Sequence, residues 1–318
     1  MEKLFNTNGN DFMKTMMQIF AEELLEAGRQ NPDIVAMSAD VRNSTGLKLF
    51  AEAFPDRYFE TGICEQNMVG TAAGMALAGK KAVVSDYACF CPGRTWEQIR
   101  NAVCLDKADV KIIGAHIGVG SGRNGATHQS FEDIALMTCL PDMAVYSPAT
   151  ERDVRLCTRK MMNTDTPAYI RLSAELCPEP EGYKCNINGL SLLKQGTDFA
   201  VIGTGGLLRK ALCAAKAFEH SRHSRIAVFN LVRLDSLNAG IFDPFKKFQA
   251  VLCLEEHQTN GGLASLIAPF FARSKDFPPF YRMGVDLKFG ASMDAENLYA
   301  YLNLSERDIL NRLTEIAA

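Results

Sequence analysis

The chain has 318 residues, of which 47% are hydrophobic, 22% charged and 9% aromatic; at roughly 100–200 residues per domain this is enough for two buried cores, and it excludes a disulfide miniprotein, a disordered chain and a fibrous one. The 34 lysines and arginines against 37 aspartates and glutamates leave a formal net charge of −3 with no long block of one sign, so neither nucleic acid nor an acidic membrane surface is expected as a partner. Residues 1–9 are polar and no apolar run approaches a membrane span of roughly 18 residues, so a cytoplasmic protein is expected.

Helical periodicity first shows near residues 10–30, where Phe12, Met16, Ile19, Phe20, Leu24 and Leu25 recur at helical spacing. Ile34-Val35-Ala36-Met37 then reads as a short apolar strand running into Ser38-Ala39-Asp40. Strand-like runs follow at 82–84, 110–115, 144–146 and 168–172, with helical stretches between them. This alternation predicts an α/β fold with a doubly wound, largely parallel sheet. Cys177-Pro178-Glu179-Pro180-Glu181-Gly182 has the chemistry of an exposed connector, which divides the chain into a first domain at 1–178, a linker at 179–190 and a smaller, also doubly wound α/β domain at 191–318. In the second domain, strands are expected at 199–202, 226–229 and 251–254, with helices at about 207–219 and after Gly261-Gly262.

Three features are set aside. The ten cysteines lack the paired short spacings of a zinc site or disulfide framework and read as reduced, mostly buried thiols; Cys89-Phe90-Cys91 alone is too weak a signal for metal or redox chemistry. Gly120-Ser121-Gly122-Arg123-Asn124-Gly125 matches the G-x-G-x-x-G pattern, but no continuous apolar helix follows and no acidic residue ends a strand about 20 positions on, so a dinucleotide site is not expected. Gly203-Thr204-Gly205-Gly206 could hold a phosphate between strand and helix but reads better as a plain tight turn.

The segment from Thr61 to Gly79 carries the most chemistry. Its run of Gly and Ala at helical spacing allows close backbone approach, so this helix is expected to be buried against another, with Glu65 in its first turn. A buried carboxylate is costly unless it is neutralised or paired. The segment resembles the pyrimidine-binding half of the transketolase family. Further stretches resemble that family in order: Ser38-Ala39-Asp40 before it, then the aromatic run from Tyr87 to Trp96 ending Glu97-Gln98-Ile99-Arg100, Ala115-His116 through Gly125-Ala126-Thr127-His128-Gln129-Ser130, and Leu254-Glu255-Glu256-His257 before Gly261-Gly262.

The resemblance implies thiamine diphosphate as cofactor, with Mg2+ or another divalent cation on its diphosphate. It gives Glu65 the N1′ nitrogen of the aminopyrimidine, a task that needs a carboxyl able to hold or share a proton; burial favours this, the helix dipole opposes it, and burial is expected to prevail. Tyr87 and Phe90 match the aromatic pocket for the pyrimidine, with Asp40 also on the cofactor side. His116 and His128 match histidines that face substrate and reacting carbonyl, suited to proton transfer and oxyanion contact. Ser44, Arg123 and Asn124 fall with them at substrate-binding positions. His220 and His223 read as solvated helix-end residues, and His257 carries little signal.

The chain departs from the family where sugar phosphates are gripped. Met13-Lys14 and Ala174 stand where arginines are expected, and Arg123-Asn124 stands where the family has Glu-Asp. Losing two charge-assisted contacts removes roughly 1.5–3 kcal/mol each. The expected substrate is therefore not a standard pentose phosphate; Arg123, with Lys14 or Arg94, is a candidate for a differently placed anion. No Gly-Asp-Gly metal and diphosphate motif occurs in the sequence. The resemblance thus implies the C-terminal subunit of a split transketolase, working with an N-terminal subunit in an α2β2 assembly, with the small-residue helix at 64–79 as the close-packing surface. The β subunit of a 2-oxoacid dehydrogenase first component, a deoxyxylulose-phosphate-synthase-like enzyme, and a noncatalytic assembly subunit are the alternatives.

Overall fold

The computed structural model describes residues 14–222 and 224–318; Phe12, Met13 and His223 lie outside the described residues. The first part of the chain contains helices α1 (Met16–Gln30), α2 (Lys48–Ala53), α3 (Glu65–Leu77), α4 (Trp96–Gln98, continued by a π-helical stretch to Leu105), α5 (Asp133–Thr138) and α6 (Glu151–Met162), and strands β1 (Ile34–Ser38), β2 (Tyr58–Glu60), β3 (Lys81–Tyr87), β4 (Val110–Ala115), β5 (Ala144–Tyr146) and β6 (Ala168–Leu172). The six strands form one parallel sheet in the order β2-β1-β3-β4-β6-β5.

Side chains alternate across a strand, and the two faces of this sheet build separate cores. Val35, Met37, Ala82, Val84, Val110 and Ile112 pack with Met68, Val69 and Ala72 of α3. Ile34, Ala36, Val83, Ile113 and Ile170 pack on the other face with Ile19 and Phe20 of α1 and Val154 and Met161 of α6. Burial on both sides makes these strands read as continuous apolar runs.

The second part holds β7 (Leu190–Lys194), β8 (Phe199–Gly203), α7 (Leu208–Arg222), β9 (Ile226–Leu231), α8 (Ala239–Phe242), β10 (Ala250–Gln258), α9 (Leu263–Phe271), β11 (Phe280–Val285), α10 (Ala295–Tyr301) and α11 (Glu306–Ile316). Its sheet runs β11-β10-β8-β9-β7, with only β7 antiparallel. The 203–206 turn is a packed corner: Thr204 Oγ1 donates to the carbonyls of Ser147 and Leu231, and a Cβ on Gly206 would stand 2.5 Å from Ser173 Oγ.

In the first sheet the chain leaves β1 for the edge strand β2 and returns on the other side of β1 as β3. This reversal of winding opens a crevice beyond the carboxyl ends of β1 and β3, where parallel α/β sheets place their ligands. Tyr87 is the last residue of β3, and Asp40 and His116 follow the ends of β1 and β4.

Candidate active site

Glu65 is the first residue of α3 and only 4% exposed. A carboxylate is stabilised at the positive end of a helix, yet taking it out of water is expensive without a partner. Arg94 is that partner, with Nη1 lying 2.7 and 2.8 Å from the two carboxylate oxygens. The same guanidinium sits over the Phe90 ring, 4.7 Å from its centroid. Sequence alone weighs burial against the helix dipole at Glu65 and offers Arg94 to the substrate; the fold instead commits Arg94 to Glu65. The Arg94 N–H donates to the Phe90 carbonyl, and this single turn sets the guanidinium on the ring.

Tyr87, Phe90, His116 and His128 form one cluster. His116 stacks on Tyr87, and His128 meets Phe90 edge-on with centroids 5.3 Å apart and Tyr87 at 5.9 Å. His116 holds a positive φ of 53°, uncommon for a residue with a Cβ, and its Nε2 lies 3.0 Å from the Ser44 carbonyl. A carbonyl can only accept, so Nε2 carries the proton. Burial pushes His116 below the ordinary histidine range, with the Ser44 carbonyl pulling the other way. His128 Nδ1 is 3.0 Å from Thr127 Oγ1.

Around this cluster the other expected residues separate. Asp40 is exposed at the end of β1, with φ of 66° and its N–H donating to Glu60 Oε1 at 2.7 Å. Ser44 lines a cleft of about 570 Å³ together with Lys14, Gln18, Asn43, Lys48 and His116; Lys14 is paired with Glu22 at 2.6 Å. Arg123 and Asn124 are exposed on the 119–124 turn, away from that cleft's lining. Ala174 lies beside Gly120 and His116, since a Cβ on Gly120 would stand 3.7 Å from both.

The turn is braced from the second sheet. Glu256 Oε1 accepts the Val119 N–H at 2.7 Å, and Gln129 Nε2 donates to the carbonyls of Gly122 and Ala291. Gly118, at φ 58°, is required here because a Cβ would stand 2.1 Å from Glu256 Oε1. Cys89 and Cys91 are free thiols, pushed up to about 12 by burial.

Sequence reasoning missed three carboxyls. Glu60 ties Tyr58, Asp40 and Gly62 together. Asp86 is 1% exposed; its Oδ1 accepts the Tyr87 N–H, its Oδ2 has no partner among the described residues, and burial, opposed by that N–H, pushes it up to about 7. Glu256 is the third. Asp86 and Glu256 sit inside buried strands and Glu60 ends a short edge strand, places where an acidic letter gives no hint of its partners.

The helix α3 meets its own sheet through Met68, Val69 and Ala72, but Gly70 and Gly74 are exposed and a Cβ on either would meet nothing within 4 Å. The close packing expected of this glycine face is therefore not made by the chain's own elements.

Residues 13–180 match the transketolase pyrimidine binding domain and residues 189–309 the transketolase C-terminal domain. The chain is 33% identical to a Methanocaldococcus jannaschii protein provisionally named as a transketolase C-terminal section, across 95% of this chain and 96% of that one. It is 29% identical to one of the subunits of the apulose-4-phosphate transketolase of Phocaeicola vulgatus, across 93% and 95%. Among solved structures it resembles a split gene transketolase described as an inactive β4 tetramer, with a TM-score of 0.85, 34% identity and coverage of 96% and 98%. The chain belongs to the transketolase family and carries its pyrimidine-binding and C-terminal domains.

Proposed function

We propose that this chain is the C-terminal subunit of a two-component transketolase, transferring a two-carbon ketol unit from a ketose to an aldose, with a substrate other than the standard pentose phosphates. One observation carries the reading: a buried helix-start carboxylate, Glu65, is joined through Arg94 to a cluster of Phe90, Tyr87, His116 and His128 at the carboxyl ends of β3 and β4.

Family membership implies dependence on thiamine diphosphate. The cluster suits an aminopyrimidine: flat side chains to flank a flat ring, and a carboxyl to hydrogen-bond its nitrogen. When bound, the cofactor supplies the carbanion chemistry that two-carbon transfer needs. Glu65 would hold and exchange a proton at its carboxyl oxygens. Tyr87 and Phe90 would orient the ring, with Asp40 at the rim. His116 and His128 would place substrate oxygens and move protons at their ring nitrogens, with the Nε2–H of His116 held on the Ser44 carbonyl.

The diphosphate and its divalent metal would be held by a partner chain. The sequence has no Gly-Asp-Gly motif, and among the described residues no cluster of three or more His, Cys, Asp or Glu could hold a metal ion. The bare glycine face of α3 suits close subunit packing, and the tetramer of the related split transketolase supports self-association. We read the assembly as an α2β2 enzyme of the cytoplasm. No helix among the described residues is long and apolar enough to cross a membrane.

Ala174 and Asn124 remove the family's usual phosphate and hydroxyl contacts, while Lys14 shares the cleft with Ser44 and His116. An anionic sugar held differently from xylulose 5-phosphate fits, and the relative named for apulose 4-phosphate supports this direction. Arg123 and Asn124 would then meet the substrate from the exposed turn. The test is to combine the chain with its diphosphate-binding partner, thiamine diphosphate and Mg2+, and assay a ketose panel. Ketol transfer from a noncanonical phosphorylated or otherwise anionic ketose is expected. Ordinary efficiency with xylulose 5-phosphate plus ribose 5-phosphate would refute the substrate reading, and 2-oxoacid decarboxylation would refute the transketolase reading.

A further inference from the structure

We infer that Arg94 is a positioning residue that holds Glu65 and Phe90 while the subunit is free of cofactor and yields both to the cofactor's aminopyrimidine. The inference rests on the cofactor reading above. One guanidinium nitrogen bonds both oxygens of Glu65 while the planar group covers the Phe90 ring. These are the two contacts assigned above to the aminopyrimidine, a hydrogen bond to the carboxyl and an aromatic face. Guanidinium is the side chain that can make both, being planar, delocalised and edged with donors.

The two partners differ in freedom. The side chain of Glu65 is 5% exposed and that of Arg94 48%, so Glu65 is fixed and Arg94 can leave by rotating its own side chain into solvent. Its backbone need not move. The Arg94 N–H bonds the Phe90 carbonyl, and Gly93 is pressed against the loop so closely that a Cβ would stand 2.1 Å from the Cys89 carbonyl oxygen.

A counter-ion is needed while the site lacks its cofactor. Asp86 lies close enough to feel the charges of Glu65, Glu60 and Arg94, and it has a buried oxygen with no partner among the described residues. Two buried carboxyls without a nearby cation would disfavour each other's ionisation and loosen the start of α3. Arg94 removes that cost, then becomes a competitor for the same carboxylate.

The experiment uses the complex of this chain with its diphosphate-binding partner, in Mg2+, titrated with thiamine diphosphate by calorimetry. Association is followed through Trp96, the chain's single tryptophan, two residues beyond Arg94 and anchored by its indole N–H on the Leu136 carbonyl. Arg94→Met keeps the apolar stem and removes the donors. It is expected to tighten cofactor binding by about fivefold and to speed association, since an ion pair between buried Glu65 and half-exposed Arg94 no longer has to be broken. Arg94→Lys, with a compact head that cannot cover the ring in the same way, is expected to fall between. Unchanged or weaker binding in Arg94→Met, with a wild-type circular dichroism spectrum, would overturn the inference and make Arg94 a permanent partner of Glu65. Failure of the wild-type complex to bind thiamine diphosphate, or unaltered binding by Glu65→Gln, would overturn the cofactor reading and this inference with it.

Discussion

The imidazole of His116 lies against the phenol ring of Tyr87, with centroids 4.6 Å apart and planes inclined by 20°. The contacts Tyr87 makes with Phe90, His116 and His128 are all through its ring. Tyr87→Phe is expected to change the thermal midpoint by no more than about 2 °C and cofactor affinity by less than about twofold. Tyr87→Ala removes the support of His116 together with an aromatic contact worth about 0.5–1.5 kcal/mol, so cofactor affinity and kcat should both fall. Equal behaviour of the two variants in calorimetry and steady-state assays would show that the ring does not matter.

Glu65 contributes one carboxyl to the site and little to the core, which α3 builds through Met68, Val69 and Ala72. Glu65→Gln keeps the shape and one acceptor oxygen but cannot make the proton exchange proposed for Glu65 at the cofactor's N1′. Exchange of the C2 proton of bound thiamine diphosphate, read by NMR after quenching, is expected to slow by about 10²–10⁴, while the circular dichroism spectrum stays that of the wild type. A variant exchanging at the wild-type rate would remove Glu65 from the chemistry.

Lys14 lines the cleft with Ser44, His116 and a second lysine, Lys48, and its ion pair with Glu22 is half exposed, with the Lys14 side chain 48% accessible. If the substrate carries its anion here, Lys14→Met should raise KM by roughly 10- to 100-fold, the worth of one charge-assisted contact, with kcat nearly unchanged. Arg123→Met tests the turn in the same assay. An effect confined to Arg123→Met would move the anion from the cleft to the 119–124 turn.

The parts of this design that could be read in the sequence are those that local pattern encodes. β1, β3, β4, β5 and β6 are buried on both faces and appear as apolar runs. β2 is a three-residue edge strand with Phe59 and Glu60 exposed, β7 alternates over only five residues, and β11 carries Arg282 in its middle; none has a period long enough to stand out. Glu65, Tyr87, Phe90, His116 and His128 stand out as candidates because each sits within a motif. The Arg94 bond to Glu65 spans 29 residues and the Glu256 bond to Val119 spans 137. Only the folded chain brings those pairs together, and no spacing rule could have announced them.

Glu256 makes stability depend on pH in a direction opposite to that of an ordinary salt-bridged carboxylate. Burial is the main cause that pushes its carboxyl up to about 7, with the Val119 N–H and Arg171 pulling down and Glu175 pushing up, and Tyr299 Oη is 3.3 Å away. An unfolded glutamate titrates near 4.5. Between these values the folded chain holds a proton that the unfolded chain has released, so the stabilisation is complete below about pH 4.5 and is lost as pH rises through about 7. At about 1.4 kcal/mol per pH unit, the loss is of the order of 3 kcal/mol. Glu255, pushed up to about 8 chiefly by burial, adds in the same direction. Asp133, held below the usual carboxylate range by Arg171 despite its burial, acts the other way and only in acid, below the unfolded aspartate value of 3.8. The two effects therefore occupy separate pH windows. Urea midpoints of the wild type should decline from pH 5 to pH 8, and Glu256→Gln, a neutral group of the same shape, should decline less over that interval. Parallel curves for the two proteins would mean that Glu256 is ionised in the folded state, and the Val119 N–H would then be solvating a buried charge rather than bracing a neutral acid.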